Sequence, residues 1–220
     1  ISTESEMSDK NTAWLNYHAD YQVDQGGYEG LARITIKGGK MLDQENGLTI
    51  KNADEILIII RVIPLEDGSQ TKLEEVKTEL TEMPLEYTDL LTPHAKKHGE
   101  MFRRVTLDLG AKTQWKTTTT EQLLQQIKSD GVNALYLEMV HAMGRYLLIS
   151  SSGKFPPPLM GIWGGGWRAD WAGGFVLNSN LNLAVSSAGM GNLPESVESL
   201  AKFIEGSLPG WRLNAKKILG

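Results

Sequence analysis

Residues 1–65 carry the pattern of apolar and polar positions that is typical of β-strands. The segment LARITIKGGKM, residues 31–41, alternates residue types and then reaches the turn-forming pair Gly38 and Gly39. A continuous β-branched run follows at residues 56–62. Because that run is apolar at successive positions, it predicts a central strand covered on both faces. These strands are too few to form a closed pair of sheets on their own. The pattern therefore predicts that residues 1–65 are one part of a large β-sandwich.

Residues 66–130 are charged and have the spacing of helices. Pro93, preceded by a capping threonine, predicts the start of one helix, because proline is tolerated in the first turn. A second helix is predicted after Thr118, with Glu121 at the spacing of a capping box and Gly131 as its end.

Residues 131–220 are predicted to form a helix, a long loop and a second helix. The first helix, residues 132–149, is apolar on most sides, which predicts burial among other helices. The loop at residues 150–174 is rich in Pro, Gly and Trp, and a loop of that length in a compact domain is usually functional or disordered. Its tryptophans argue against disorder. The second helix follows Asn192 as its predicted cap.

The segment DWAGGFVLNSNLNL, residues 170–183, alternates asparagine with apolar residues. Asn178, Asn180 and Asn182 stand at even spacing, so an extended chain would place three amides on one side. Neither a hydrophobic core nor an ordinary loop requires that arrangement.

Composition and charge narrow the functional class. The chain has 40% hydrophobic and 22% charged residues, as soluble globular proteins do. A net charge of −5 with scattered basic residues argues against a nucleic-acid partner. We expect no membrane span, because no apolar window approaches the roughly 18–20 residues that a bilayer requires. Zero cysteines exclude disulfides and thiolate chemistry. The start at Ile1, without a signal peptide, predicts a processed chain or a fragment.

The sequence gives only weak indications of a metal site or of a phosphate-binding loop. His94 and His98 share a helix face and could hold a metal, but no metalloprotease glutamate lies between them and the surrounding residues are charged. The glycine run at residues 164–166 lacks the Gly-Lys-Ser/Thr ending of a phosphate-binding loop. We therefore expect neither a metal nor a cofactor.

Two interpretations of the tryptophan loop stay open. The large aromatic side chains seal the end of a helical barrel, or they bind a sugar. Indole rings stack on the apolar faces of a pyranose, while amide, carboxylate and guanidinium groups bind its hydroxyls. The residues that supply this chemistry are Trp163, Trp167, Arg168, Asp170, Trp171, Asn178 and Asn180.

The segment GRYLLISSSGKFPPPLMGIW, residues 144–163, and the segment DWAGGFVLNSN, residues 170–180, resemble two motifs of one enzyme family. They are similar to GRYLLISSSRPG with LQGIWN, and to a tryptophan followed by YTLNIN, of glycoside hydrolase family 95. These enzymes are inverting α-L-fucosidases and their α-L-galactosidase relatives. Upstream, residues 94–110 resemble the family's linker signature, and residues 27–60 resemble the end of its N-terminal β-domain.

The resemblance implies an α+β chain in three parts. Residues 1–65 would be the last strands of a β-super-sandwich, residues 66–130 a helical linker, and residues 131–220 the first helices of an (α/α)6 barrel. The implied partners are a glycan substrate, the remainder of the barrel and a C-terminal β-domain. A glycan substrate in turn implies a periplasmic or extracellular location.

The resemblance also implies a mechanism. Inverting hydrolysis needs a general acid and an activated water on the opposite face of the sugar. The family's N-x-N asparagines orient that water, and Asn178 and Asn180 fall on their positions. An amide carbonyl accepts a hydrogen bond from water and thereby fixes its line of attack. Asn182 falls where members often have Glu and is expected to serve packing or a polar contact. The general-acid glutamate and a helper aspartate would lie beyond Gly220, so this chain alone is expected to be inactive.

Two departures from the family pattern leave alternatives open. Gly164 and Gly165 replace polar residues, and LAVSSA at residues 183–188 replaces MNYWPA. These changes favour a diverged, non-catalytic carbohydrate-binding or structural relative as the second hypothesis. An unrelated α+β domain with chance similarity is the third.

Overall fold

A computed structural model describes residues 2–21, 26–44, 47–65, 70–111, 113–164 and 170–220, with the side chain of Asp170 excepted. The fold is α+β, with strands first and helices after them. The chain divides into two compact units, Ile1–His94 and Ala95–Gly220.

The first unit is built on antiparallel strands and the helix α1. The elements are β1 (Ser2–Met7), β2 (Thr12–Asp20), β3 (Gly27–Lys37), β4 (Lys40–Gln44), β5 (Gly47–Lys51), β6 (Glu55–Leu65) and α1 (Leu73–Glu82). The main sheet has the order β1-β2-β3-β6, and β4 pairs with β5 in a hairpin. The predicted turn at Gly38 and Gly39 lies between β3 and β4, where both residues have positive φ.

Strand β6 lies at an edge of the main sheet, since within the described ranges it pairs with β3 alone. The prediction of a central strand covered on both faces is therefore not met within the described residues. Ile59 and Ile63 pack towards α1. The alternate positions carry exposed aliphatic side chains: Ile56, Ile58, Ile60 and Val62. Apart from Arg61, both faces of the run are aliphatic. Only one of these faces is packed in the described part of the chain.

Helix α1 covers the face of the sheet that carries Trp14 and Leu31. Val76 and Leu80 of α1 are buried against these two side chains. Two charged residues of β3, Glu29 and Arg33, lie at the two ends of the helix.

Glu29 accepts a hydrogen bond from the backbone N–H of Lys72 at 3.1 Å, immediately before α1. Arg33 donates to the carbonyl of Leu80 at 2.8 Å and to that of Thr81 at 3.0 Å, in the last turn. A carboxylate thus faces the positive end of the helix dipole, and a guanidinium faces the negative end. The four-residue spacing on one strand fixes the position of the helix along the sheet.

The second unit consists of helices joined by loops, and α2 spans the boundary between the units. The helices are α2 (Tyr87–Phe102), α3 (Thr120–Asp130), α4 (Ala134–Ser151), α5 (Asn180–Val185) and α6 (Pro194–Leu219), with short 3₁₀ turns at Gln114–Lys116 and Asp170–Gly173. No helix in the described ranges has the length and apolar character needed to cross a bilayer.

The predicted start of α2 at Pro93 is wrong. The helix begins at Tyr87 and contains Pro93 in its interior. The hydroxyl of Thr92 donates to the carbonyl of Thr88 at 2.7 Å instead of capping a helix. Pro93 has no backbone N–H, so one hydrogen bond of the helix is missing there, yet the helix continues through this residue.

The other helix ends differ from prediction by one or two residues. In α3 the capping box is formed by Thr119 and Gln122 rather than by Thr118 and Glu121. The predicted end at Gly131 is confirmed, with φ of 83°. Helix α6 begins at Pro194 and follows Leu193, so Asn192 is not its cap.

Helix α4 has one buried and one exposed face, so the prediction of burial on most sides is not met within the described residues. The buried positions are Leu135, Glu138, Arg145, Leu148 and Ile149. The exposed apolar positions are Leu137, Val140, Met143, Tyr146 and Leu147.

Candidate active site

Glu138, on the buried face of α4, holds the segment that follows α2. One carboxylate oxygen accepts the N–H of Leu109 at 2.6 Å and that of Ala111 at 3.2 Å. The other oxygen accepts the indole N–H of Trp115 at 2.7 Å. These bonds, that of Trp115 above all, lower the pKa of Glu138, because they favour the ionised form.

Arg145, seven residues further along α4, donates to three carbonyls. Its Nε and Nη2 atoms bind Phe102 and Met101, at 3.2 and 2.8 Å, and Nη1 binds Gly191 at 2.6 Å. Burial lowers the pKa of Arg145. The guanidinium therefore joins the C-terminal end of α2 to the loop that precedes α6, and it complements the negative end of the α2 dipole.

A second arginine fixes the start of α6. Arg104 donates to both carboxylate oxygens of Glu195, at 2.8 and 2.7 Å, and to the carbonyl of Asn192 at 3.2 Å. The guanidinium lowers the pKa of Glu195, and that carboxylate raises the pKa of Arg104. Two arginines, Arg104 and Arg145, thus hold the loop between α5 and α6.

The chain after α4 is anchored on α6. The hydroxyl of Ser199 donates to the carbonyl of Gly153. The Phe175 ring lies between two others, with centroids 6.2 Å from Phe155 and 4.5 Å from Phe203. The long loop therefore has a fixed beginning and a fixed aromatic contact near its end.

Between these anchors lies a small surface cavity. The N–H of Leu159 donates to the carbonyl of Gly174 at 3.1 Å, which joins the two sides of the loop. The cavity has a volume of about 170 Å³ and is lined by Pro157, Pro158, Leu159, Val176, Asn180, Leu181 and Ala184. Among these lining residues, none has an ionisable side chain.

The asparagines do not lie on an extended chain, so that prediction is wrong. Asn180 is the first residue of α5, whose buried face carries Leu181 and Val185. Successive helical residues are separated by about 100°, so Asn180 and Asn182 flank this face on opposite sides. The helix forms because burying the apolar positions at i and i+4 outweighs the two-residue alternation.

Asn178 and Asn180 both have exposed side chains. Asn178 lies in the turn before α5, where its side-chain oxygen accepts the N–H of Ser179 at 3.1 Å. A carbonyl oxygen has a second acceptor site, so this bond leaves room for a water molecule. Asn180 lines the cavity. The water-positioning roles of both residues stay predictions.

The predicted sugar-binding residues fall into two groups. Trp163 and Trp171 are described, with exposed fractions of 44% and 83%. Trp167, Arg168 and the side chain of Asp170 lie outside what the structure describes.

His98, one of the two histidines of the predicted pair, lies among aromatic rings. His98 packs against the rings of Phe102 and Tyr146, with centroid distances of 5.8 and 5.7 Å. Within the described ranges, no group of three or more His, Cys, Asp or Glu residues is arranged to hold a metal ion.

Comparison with known proteins gives the family. The profile of the family described as "Glycosyl hydrolase family 95 catalytic domain" matches residues 86–220, which include the two motifs, the cavity and both exposed asparagines. The chain belongs to glycosyl hydrolase family 95. Membership of family 95 excludes the hypothesis of an unrelated domain with chance similarity.

One curated relative is a fungal protein. The chain is 28% identical over 195 residues to "Probable alpha-fucosidase A" of Aspergillus oryzae (strain ATCC 42149 / RIB 40). The match covers 77% of this chain and 26% of that protein. The chain therefore spans about a quarter of the length of this relative.

Sequence reasoning missed Glu138 and Arg145. A signal was present, because the two charged residues are seven apart in an otherwise apolar helix and so share one face. Charged groups at such positions are buried only when they are hydrogen-bonded, and Glu138 and Arg145 each make three hydrogen bonds here.

Proposed function

We propose that the protein is a glycoside hydrolase that removes terminal α-L-fucosyl, or α-L-galactosyl, residues from glycans. The family profile over residues 86–220 and the printed name of the fungal relative support this proposal. The structural observation that carries it is the position of Asn180, an exposed amide at the wall of an apolar surface cavity.

We further propose the family architecture for the longer polypeptide. Residues 1–65 would belong to a β-super-sandwich, residues 66–130 to a helical linker, and residues 131–220 to an (α/α)6 barrel. The exposed aliphatic faces of β6 and α4 support this proposal, because further elements of a sandwich and a barrel would bury them. The glycan substrate places the protein in the periplasm or outside the cell.

In the proposed reaction, Asn178 and Asn180 accept hydrogen bonds from one water molecule and direct its oxygen at the anomeric carbon. The C–O bond to the leaving sugar breaks as the bond to water forms, which inverts the anomeric centre. A general-acid glutamate beyond Gly220 protonates the leaving oxygen, and an aspartate beyond Gly220 accepts the proton of the water. The 220-residue chain lacks both groups and is inactive alone.

An aryl α-L-fucoside tests this mechanism. The 220-residue chain should release no phenol, whereas a polypeptide extended past Gly220 should hydrolyse the substrate and give the inverted anomer by NMR. Asn180→Ala in the extended enzyme should lower kcat by about a hundredfold, because the water loses its orientation. Asn182→Ala is the matched control and should leave kcat unchanged. Equal rates for the Asn180→Ala variant and the wild type would contradict the water-positioning role.

A non-catalytic carbohydrate-binding relative is the second candidate. It is favoured by the cavity lining, in which the described residues include no ionisable side chain. Sugar binding by the extended polypeptide without any hydrolysis would support this candidate over the enzyme.

A further inference from the structure

Trp171 is carried by a left-handed turn. The backbone φ angles are 56° at Trp171, 59° at Ala172 and 59° at Gly173. L-residues rarely adopt this conformation, because the Cβ atom approaches a carbonyl oxygen. Two consecutive non-glycine residues do so here, and the result is an indole that is 83% exposed. Backbone outliers of this kind point to function when they present a particular side chain.

Trp163, in the same loop, has a different environment. A methyl group placed on Gly161 would lie 2.7 Å from the Trp163 ring, so that ring lies directly over the Gly161 backbone. Trp163 thus packs on its own loop, whereas Trp171 has most of its surface available to a ligand. The two tryptophans therefore differ in role, because Trp163 packs on its loop and Trp171 is exposed to solvent.

The left-handed turn is joined to the cavity wall by two hydrogen bonds. The N–H of Gly174 donates to the carbonyl of Trp171 at 3.4 Å, and the carbonyl of Gly174 accepts the N–H of Leu159 at 3.1 Å. Leu159 and Asn180 both line the cavity. Trp171 itself is absent from the lining, so it lies beside the cavity rather than within it.

We propose that Trp171 is the stacking platform for the sugar on the leaving-group side of the scissile bond. This inference rests on the proposed function, in which the terminal residue meets water next to Asn180. A ring bound in the cavity places the adjoining sugar outside it, where an exposed indole offers a flat apolar surface to a pyranose. The substrate class is therefore an oligosaccharide that bears a terminal L-fucosyl unit, and free L-fucose does not use the platform.

Calorimetric titration of the polypeptide extended past Gly220 measures this directly when the ligand is not hydrolysed. The ligands are L-fucose and a sulfur-linked α-L-fucosyl-galactose disaccharide, whose thioglycosidic bond resists hydrolysis. Trp171→Ala should weaken disaccharide binding about tenfold, which corresponds to about 1.4 kcal/mol, and leave L-fucose binding unchanged. Trp171→Phe should restore most of the loss. Trp211→Ala, on α6 and outside the predicted sugar-binding residues, is the matched control for the loss of a partly exposed indole and should keep the difference between the two ligands.

Gly173→Val tests the turn without removing the indole. A β-branched residue does not tolerate positive φ, so this variant should lose the same disaccharide affinity while its far-UV circular dichroism is unchanged. Wild-type affinity of Trp171→Ala for the disaccharide would overturn the platform and leave the proposed function standing, and so would equal losses for both ligands. Failure of the wild-type extended polypeptide to bind either sugar would overturn the proposed site and the platform with it.

Discussion

Helix α1 on its sheet and the loop between α4 and α5 are held in place in different ways. Helix α1 is fixed along its whole length, with buried apolar side chains in the middle and opposite charges of β3 at its two ends. The loop is fixed at separate points, by the hydrogen bond from Ser199 to Gly153 and by contacts between phenylalanine rings, and it presents exposed tryptophans between them.

This difference separates stability from ligand presentation. Where α1 packs on its sheet, charged residues of β3 bind both ends of the helix and the facing apolar side chains are covered, so the energy lies in burial. In the loop, glycine, proline and left-handed turns hold large side chains at the surface. Substitutions should therefore change the free energy of unfolding in the first region and ligand affinity in the second.

Leu80→Ala should have the largest effect on stability. The side chain lies on the buried face of α1 and is 2% exposed. Its truncation leaves a cavity, so the free energy of unfolding should fall by about 3 kcal/mol. Leu183→Ala is the matched control, because Leu183 of α5 is 69% exposed and should change the value by less than about 0.5 kcal/mol. Denaturant titration measures both, and equal losses would abolish the distinction.

Arg145→Met should come second. The substitution leaves the carbonyls of Met101, Phe102 and Gly191 without their shared donor, and we expect a loss of about 2 kcal/mol. Arg212→Met, at an exposed position of α6, removes the same charge without a buried network. A loss in the Arg212 variant as large as that in the Arg145 variant would show that overall charge, rather than the carbonyl cluster, matters.

Glu138 should give the smallest effect, and one that depends on pH. Its pKa is lower in the folded chain than the ordinary value of 4.5, so its contribution to stability is full above about pH 4.5 and is lost as the pH falls through the folded value. Glu138→Gln should lower the melting temperature by a few degrees at pH 7. The difference from wild type should shrink towards pH 3.

Glu205→Gln, at an exposed position of α6, is the control for this titration. A gap between wild type and Glu138→Gln that stays constant from pH 7 to pH 3 would show that the carboxylate form has no role in holding the segment after α2.

The order of elements was predictable because it depends on local periodicity. The strands, the helices α3 and α4 and the stop at Gly131 all follow from the spacing of apolar residues and from caps. The start of α2 was not predictable from Pro93. The residues around this proline are compatible both with a proline in the first turn of a helix and with one in its interior. The edge position of β6 depends on which strands pair, and spacing along the chain carries no information on pairing.

The candidate site was predictable in residue type and not in geometry. Asparagines and tryptophans within a short stretch indicated sugar chemistry, and the family match agrees. The alternation at Asn178, Asn180 and Asn182 indicated a strand, but burial of Leu181 and Val185 makes that segment helical. The left-handed conformation of Trp171 has no signal in the sequence, because tryptophan and alanine do not favour it.

The open edge of β6 has a practical consequence for isolated preparations of this chain. In the described part of the chain, β6 is mostly aliphatic and no second strand pairs with its outer edge. These are features of segments that recruit strands from other copies. Purification at high concentration therefore favours intermolecular β-pairing through this edge. A single lysine at Ile60 would act as a gatekeeper against aggregation at that edge.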